Sequence, residues 1–256
     1  MGIVNVTPDS FSDGGKYNTV ELAIEHALQL IEQGADILDI GGESTRPGSE
    51  SVSLNEERNR VVPVIKGIRV RNSSIPISID TMKSQIAQEA IEAGATIVND
   101  VSSGRYDASM FDIVAKYNIP FILMHMLGKP KTMQLNPEYQ NVVSEVYTFL
   151  QERISIAQSY GITTIMADVG IGFGKTLEHN VELLRHHAEF TKLNVPLVLG
   201  ISRKRFIGAL TGIENAADRD TATALLHALL LHAKADIIRV HNVALCNQLR
   251  TLTNAI

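Results

Sequence analysis

The chain is predicted to fold as a single (β/α)8 barrel of the TIM type, an α/β architecture. Eight short runs of β-branched and apolar residues alternate with longer stretches that have helical periodicity. The short runs are continuously apolar, which is typical of parallel strands that are buried on both faces. The length of 256 residues also suits one such barrel, and no Pro- or Ser-rich linker divides the chain.

The strand candidates are short segments rich in Ile, Val and Leu. In chain order they are Ile3–Val6, Ile37–Ile40, Ile77–Asp80, Ile97–Val101, Phe121–His125, Ile165–Val169, Leu197–Ile201 and Ile237–His241. A doubly wound open sheet is the alternative fold. It is the weaker alternative because no Gly-x-Gly-x-x-Gly motif follows the first strand.

The helix candidates have apolar residues at helical spacing. They are Val20–Glu32, Asn55–Arg69, Gln85–Ala93, Ser109–Lys116, Tyr139–Ser159, Asn180–Ala188, Thr221–Ala233 and Ala244–Thr253. Several of them end at a glycine just before the next strand, as at Gly34 and Gly94, which is how an α-to-β connection closes. The first strand candidate has nothing before it to close the barrel floor. We therefore expect residues 1–256 to form one domain that has an open floor or lacks an N-terminal extension.

The charge balance excludes several classes of protein. The net charge is −5, with 23 Lys and Arg against 28 Asp and Glu, which argues against nucleic-acid binding and against electrostatic membrane attachment. The longest apolar run, residues 222–233, is shorter than the roughly 20 residues that span a bilayer. No secretory signal is visible, and the single cysteine, Cys246, leaves no internal disulfide. A cytoplasmic protein is expected.

In a barrel, functional residues lie at the carboxyl ends of the strands and in the loops that follow. Here those ends are polar, whereas an interior filled only for packing would be apolar. In chain order they carry Asn5; Gly41, Gly42, Glu43, Thr45 and Arg46; Asp80; Asn99 and Asp100; His125; Asp168; Ser202, Arg203 and Lys204; and Arg239 and His241. A lone Asp at a strand end more often caps the next helix, but its repetition around the barrel indicates a site.

One part of this polar end is basic, although the chain as a whole is acidic. Arg239 and His241 are two positions apart on one strand, so their side chains point to the same face. Together with Arg46 and Asn5 from neighbouring strands they would form a compact anion site. A phosphate or diphosphate is the predicted ligand.

The run Gly170–Lys175 is similar to a nucleotide-binding P-loop at first sight. That interpretation fails because the motif requires glycine at position 169, where Val169 stands. The glycines are better explained by a loop that passes close to a ligand, with Phe173 available to pack on a flat ring.

Two polar, glycine-rich segments follow the first two strands, Asn5–Gly15 and Gly41–Gly48. Their length suits mobile lids, and the alternative is that they are ordinary surface loops. We expect the loops Thr7–Tyr17 and Thr45–Val52 to become ordered only after a first substrate binds. That behaviour would impose an order on substrate binding.

These motifs together resemble the dihydropteroate synthases, the folate-pathway enzymes that sulfonamide drugs inhibit. The resemblance covers nearly the whole chain and is carried by Met1–Gly15, Gly41–Gly48, Ser78–Thr81, Asn99–Asp100, Leu123–Met126, Asp168 with Gly170–Lys175, Ser202–Lys204 and Ile238–His241. The chain departs from the family pattern at Val169, where proline is usual, and at Asn242, where aspartate is common.

The resemblance implies a reaction that joins 6-hydroxymethyl-7,8-dihydropterin diphosphate to 4-aminobenzoate and releases pyrophosphate. The pterin would be held by Asp80, Asn99, Met124, Asp168, Phe173, Gly200 and Lys204. Among these, the Asp168 carboxylate would accept two adjacent N–H groups of the pterin edge. The aminobenzoate would lie against Phe11, Pro47, Lys204 and Arg205.

The leaving diphosphate would be bound by Asn5, Thr45, Arg46, Arg239 and His241, with a Mg²⁺ ion held by Asn5. The catalytic residues implied by the resemblance are Asn5, Asp13, Arg46, Lys204, Arg239 and His241. No nucleic acid or membrane partner is expected.

Two other functions remain open at this point. A pterin-binding methyltransferase domain could share Asp80, Asn99 and Asp168, but it has no diphosphate to expel, so the basic cluster argues against it. A catalytically silent barrel within a folate-pathway fusion is the second alternative.

A homodimer is expected from Thr221–Ala233, where apolar residues cover more of the helix than one barrel-facing stripe requires. The alternative is that flanking helices of the same chain cover the surplus face.

Overall fold

The computed structural model describes residues 1–7, 16–45 and 48–255. It contains a sheet of eight parallel strands in the order of the chain. The strands are β1 (Gly2–Asn5), β2 (Leu38–Gly41), β3 (Ile77–Asp80), β4 (Ile97–Asp100), β5 (Phe121–Met124), β6 (Ile165–Asp168), β7 (Leu197–Leu199) and β8 (Ile237–Ile238).

The sheet closes on itself just beyond β8. Gly2 forms a parallel bridge with Val240, the Ile3 N–H donates to the Val240 carbonyl at 3.0 Å, and the Val240 N–H donates to the Met1 carbonyl at 3.0 Å. The predicted (β/α)8 barrel is therefore confirmed. The open-sheet alternative is wrong, because its first and last strands would not be hydrogen-bonded.

The described helices follow the strands as in a barrel of this type. They are α1 (Lys16–Glu32), α2 (Leu54–Arg71), α3 (Ser84–Ala93), α4 (Ser109–Tyr117), α5 (Val142–Ser159), α6 (Leu177–Arg185), α7 (Arg205–Thr211), α8 (Asp220–Leu229) and α9 (Val243–Ala255). In the described part of the chain, none of them combines the length and the hydropathy that a bilayer crossing requires.

Side-chain caps explain where several helices begin and end. The Ser53 hydroxyl accepts the Glu56 N–H at the start of α2, and Asn141 caps α5, which therefore begins at Val142 and not at the predicted Tyr139. Thr176 forms a capping box with His179, so α6 begins before the predicted Asn180. At the other end, Gly94 closes α3 with a φ of 117°.

The strand residues alternate between two environments. Outward side chains such as Leu38 and Ile40 pack under the helices in the main core. Inward side chains are apolar at the amino ends of the strands, where Met1, Ile97, Ile122, Met166 and Val198 form a separate cluster. This cluster lies in the barrel interior at that level. Toward the carboxyl ends the inward residues become charged, and that change marks the site.

The predicted last strand, Ile237–His241, is shorter in the structure. Only Ile237–Ile238 pair with β7, and Val240 makes the single bridge to Gly2. The predicted helix Thr221–Ala233 likewise stops at Leu229 and continues as a 3-10 turn, Leu231–Ala233.

Candidate active site

An arginine between two carboxylates lies at the centre of the barrel. The Nε of Arg239 donates to Oδ2 of Asp39 at 2.5 Å, and its Nη2 donates to Oδ2 of Asp80 at 2.8 Å. The amide of Asn99 is 3.3 Å from the same Asp39 oxygen. Three predicted site residues from β3, β4 and the end of β8 are thus brought together through Asp39, which the sequence interpretation did not include.

Burial changes the protonation of this group. Burial raises the pKa of Asp80 to about 7, with the neighbouring Asp39 charge in the same direction and Arg239 opposing it. The Asp39 and Asp80 carboxylates raise the pKa of Arg239 above its usual value despite burial. The guanidinium therefore stays charged, and its charge is already shared with two acids.

Asp168 ends β6 and lies near the same arginine, on the other side of Gly200. Its Oδ1 accepts the Gly170 N–H at 2.7 Å, while burial raises its pKa and the Lys204 charge opposes the shift. A Cβ at position 200 would lie 3.4 Å from Oδ2 of Asp168 and 4.0 Å from the Arg239 side chain. Gly200 thus lies between Asp168 and Arg239, where a side chain would contact both groups.

Apolar side chains also lie at this end of the barrel. Met124 points inward from β5 and belongs to a buried cluster with Met82, Val101, Met126 and Met133, and Phe173 packs against this cluster. The ammonium of Lys204 lies 4.5 Å from the centroid of the Phe173 ring and donates to the Ile171 carbonyl. Burial lowers the pKa of Lys204 to about 8.

The loop after β6 is held by an internal lysine. The Lys175 ammonium is 2.9 Å from Nδ1 of His125 and donates to the carbonyls of Gly170 at 2.9 Å and Phe173 at 3.1 Å. Lys175 is buried, which lowers its pKa well below the usual value. It fixes the loop and is not available to a phosphate, in agreement with the rejection of a P-loop. His125, expected among the polar strand ends, serves the same loop.

The predicted anion side contains Asn5 and His241. Asn5 ends β1 as a half-buried residue, and its backbone pairs with Gly41 of β2. Nδ1 of His241 lies 3.0 Å from the Ser202 hydroxyl, which also accepts the His241 N–H. These contacts with Ser202 orient the imidazole of His241.

Asn242, one of the departures from the family pattern, connects Asp220 to the start of α9. Its Nδ2 donates to Asp220 at 3.1 Å, and its Oδ1 accepts the Leu245 N–H in the first turn of α9. Asp220 also pairs with Arg203 through two hydrogen bonds of 2.6 and 2.7 Å. An aspartate at 242 would face the Asp220 carboxylate, and asparagine avoids that repulsion. Val169, the other departure, is buried in the main core.

The stem of the loop after β2 is anchored by an ion-pair cluster. The Lys83 ammonium donates to Glu43 and to Glu57 of α2, and the Thr81 hydroxyl donates to Glu57 at 2.6 Å. Thr45 is half-buried on this loop. The Gly48 N–H donates to the Pro130 carbonyl at 3.2 Å, so the far end of the loop contacts the segment after β5.

Four predicted site residues, Phe11, Asp13, Arg46 and Pro47, lie outside the described residues. Much of the predicted lid Thr7–Tyr17 and part of Thr45–Val52 lie there as well. Arg205 is exposed at the first position of α7. Among the described residues it is the predicted site residue that is least enclosed by its neighbours.

Sequence reasoning missed Asp39, Glu57 and Lys83. Asp39 carried a usable signal, because an ionisable residue flanked by Leu38 and Ile40 in a buried strand requires a partner. Glu57 and Lys83 carried none, since each lies on a helix or loop with ordinary charged surroundings. Their pairing depends on how α2 packs beside the loop that precedes α3.

Comparisons with known proteins show which proteins this chain is similar to. The sequence profile described as "Pterin binding enzyme" matches residues 1–241. The dihydropteroate synthase of Streptococcus pyogenes serotype M3 is 48% identical over 246 residues, which cover 95% of this chain and 90% of that protein.

Several solved structures are similar to this chain in both fold and sequence. The dihydropteroate synthase of Xanthomonas albilineans with 4-aminobenzoic acid has a TM-score of 0.93 at 46% identity, covering 100% of this chain and 91% of that one. The same protein in complex with 7,8-dihydropteroate has a TM-score of 0.89 at 43% identity, with 100% and 92% coverage. The Yersinia pestis enzyme with a sulfonamide drug has a TM-score of 0.93 at 39% identity, with 100% and 92% coverage.

Proposed function

The chain belongs to the family of pterin-binding enzymes and, within it, to the dihydropteroate synthases, and from this we infer how its own residues serve the reaction. It is a transferase of folate biosynthesis. It condenses 6-hydroxymethyl-7,8-dihydropterin diphosphate with 4-aminobenzoate to give 7,8-dihydropteroate and pyrophosphate. The observation that carries the residue assignments is the buried polar cluster at the carboxyl ends of the strands, together with the methionine-rich apolar cluster at the same end of the barrel.

We propose that Asp168 binds the aminopyrimidinone edge of the pterin. Its Oδ1 accepts the Gly170 N–H, and among the described residues no hydrogen bond of its Oδ2, which lies near Gly200, is found. A desolvated carboxylate beside adjacent N–H donors forms strong charge-assisted hydrogen bonds. Lys204 would donate to the pterin carbonyl, and Phe173 and Met124 would cover the ring faces.

Asp80 and Asn99 would read the remaining pterin edge. Both are buried, and they already bind the Arg239–Asp39 pair: Asp80 accepts one hydrogen bond from Arg239, and the Asn99 amide donates to both Asp39 oxygens. The second Asp80 oxygen and the Asn99 carbonyl oxygen can accept from the ligand. A ring with donors on two edges would thus be held from both sides of the barrel.

The diphosphate would lie beside Asn5, Thr45 and His241, with the Nη1 group of Arg239 directed to it and Arg46 completing the set. Charge develops on the leaving group as the C–O bond breaks, so donors placed in advance lower the barrier. The aniline nitrogen of 4-aminobenzoate attacks the methylene carbon, and the bond to the diphosphate oxygen breaks. Asp13 is proposed to orient that nitrogen, between Phe11 and Pro47, while Lys204 and Arg205 meet the carboxylate.

A Mg²⁺ ion fits this donor set. Within the described residues there is no group of three or more acidic, His or Cys side chains that could cage a metal. Asn5 offers one hard oxygen ligand at the diphosphate end, and Mg²⁺ commonly takes one or two protein ligands and completes its shell with phosphates and water. Bound there, the ion would neutralise part of the diphosphate charge.

Two further assignments remain proposals. A homodimer is supported by α8, where Leu225 and Leu229 are 62% and 73% exposed, so flanking helices of this chain do not cover that face. The cytoplasmic location expected from the sequence stays a prediction, which cell fractionation would test. Sulfonamides, which compete for the aminobenzoate position by shape and charge, are the expected inhibitors.

The activity is tested by pyrophosphate release. We expect release only when both substrates are present, stimulation by Mg²⁺, and inhibition by a sulfonamide that added 4-aminobenzoate relieves. Release without 4-aminobenzoate would indicate hydrolysis of the pterin diphosphate instead of condensation.

A further inference from the structure

Asp39 is the innermost charged residue of the central cluster. It lies on β2, and none of its surface is exposed. It accepts from Arg239 at 2.5 Å and lies 3.3 Å from the Asn99 amide. Asp39 therefore contacts two residues that face the substrate without reaching the substrate space itself.

We propose that Asp39 is a positioning residue for the condensation, which holds the Arg239 guanidinium in the orientation that presents Nη1 to the diphosphate. This inference rests on the proposed role of Arg239. Within residues 1–7, 16–45 and 48–255, Nε and Nη2 of Arg239 are hydrogen-bonded, and no hydrogen bond of Nη1 is found.

Asp80 cannot hold the guanidinium alone. Asp80 lies at the rim of the cavity and is itself proposed to bind the pterin, so its carboxylate must serve two partners. Asp39 has no access to the ligand and stays in place when the pterin enters. Because two acceptors on neighbouring strands define the plane of the guanidinium, loss of the inner one leaves the side chain free to rotate about its long stem.

The charge of Asp39 gives an independent reason to infer that this residue orients the Arg239 guanidinium. A second carboxylate beside Arg239 weakens the attraction between this arginine and an anion. A neutral residue at position 39 would serve diphosphate binding better if charge alone mattered. A buried acid at position 39 is therefore explained better by the orientation that it gives to the guanidinium than by its effect on the attraction for the anion.

The test compares Asp39→Asn, Arg239→Ala and the double variant. Asp39→Asn keeps the shape of the side chain and leaves Arg239 paired with Asp80, so the buried charge retains a partner. The matched control is Asp36→Asn, which removes the 72% exposed partner of Arg250 just before the same strand. Turnover, KM for 4-aminobenzoate and the affinity for pyrophosphate with Mg²⁺ are measured for each.

We expect Asp39→Asn to lower turnover and pyrophosphate affinity by about 10- to 100-fold, because the amide still offers an acceptor oxygen but no longer supplies the carboxylate charge that holds the guanidinium in its orientation. The KM for 4-aminobenzoate should change less than about threefold, since that substrate is bound elsewhere. In the Arg239→Ala background, Asp39→Asn should have little further effect on either quantity.

Each other outcome has a distinct meaning. Unchanged turnover of Arg239→Ala would refute the proposed role of Arg239 itself. A large loss for Arg239→Ala with none for Asp39→Asn would overturn only the positioning role. Equal losses from Asp39→Asn in both backgrounds would also overturn it, because the effect would not pass through Arg239.

Arg239→Lys tests the same idea should Asp39→Asn not fold. A lysine keeps the charge but cannot contact both carboxylates in one plane. We expect it to lose nearly as much turnover as Arg239→Ala. Wild-type turnover of Arg239→Lys would show that a fixed guanidinium is not required.

Discussion

Among single residues, Asp168 is buried, and within the part of the chain that the structure describes no hydrogen bond of its Oδ2, near Gly200, is found. We expect Asp168→Asn to weaken binding of a pterin analogue by at least about 100-fold, because an amide places a donor against a donor in a desolvated pair. Calorimetry measures the affinity. Asp112→Asn, at an exposed position of α4, is the control. An affinity within about threefold of wild type would remove Asp168 from the pterin site.

We expect Lys204 to make pterin binding and the reaction depend on pH. Burial lowers its pKa to about 8, so the ammonium is present below that pH and is lost as the pH rises through it. Pterin affinity and kcat/KM should therefore fall above pH 8, provided that the lysine donates to the ligand. Lys204→Met should show low affinity without this alkaline decrease. Persistence of the decrease in that variant would assign it to another group.

At the scale of elements, the loop after β6 depends on one glycine. Gly170 has a φ of +70°, and a Cβ there would lie 1.8 Å from the His125 carbonyl oxygen. Because that oxygen belongs to the backbone, Gly170→Ala must displace the loop that carries Phe173 and Lys175. We expect a lower melting temperature together with weaker pterin binding.

Gly161→Ala is a matched control for Gly170→Ala. Gly161 also has a positive φ of +84°, but nothing lies within 4 Å of its added Cβ. Gly161→Ala should lower the free energy of unfolding by only the left-handed backbone strain of about 1–2 kcal/mol and leave pterin affinity unchanged. Equal effects of the two substitutions on affinity would show that the close approach to His125 does not position the loop.

At the scale of the whole molecule, the exposed leucines of α8 predict self-association. We expect Leu229→Glu to convert a dimer into a monomer, because the carboxylate would be buried without a partner at the interface. Sedimentation velocity at micromolar concentration measures the mass. Val70→Glu, at an 87% exposed position on α2, should leave the dimer intact. A wild-type monomer would contradict the proposed assembly.

The amino-acid sequence alone predicts the order of the eight strands and the end of the barrel where the polar residues lie. Both follow from local rules, since apolar runs and helical spacing define the units and parallel strands bring their carboxyl ends together. The family motifs added the pterin-binding and diphosphate-binding assignments. Strand limits depend on pairing as well, since the predicted strand Ile237–His241 pairs with β7 over only two residues before Val240 pairs with Gly2.

The pairing of the buried charges, in contrast, depends on the folded chain. Arg239 and Asp39 are 200 positions apart in the chain, and they meet only because closure of the barrel places their strands around one interior. The sequence indicated Arg239 as a free cation for an anion, whereas the folded chain shows it shared with Asp39 and Asp80. Periodicity specifies the face to which a side chain points. The partner across the barrel depends on the curvature and closure of the sheet, which no local pattern encodes.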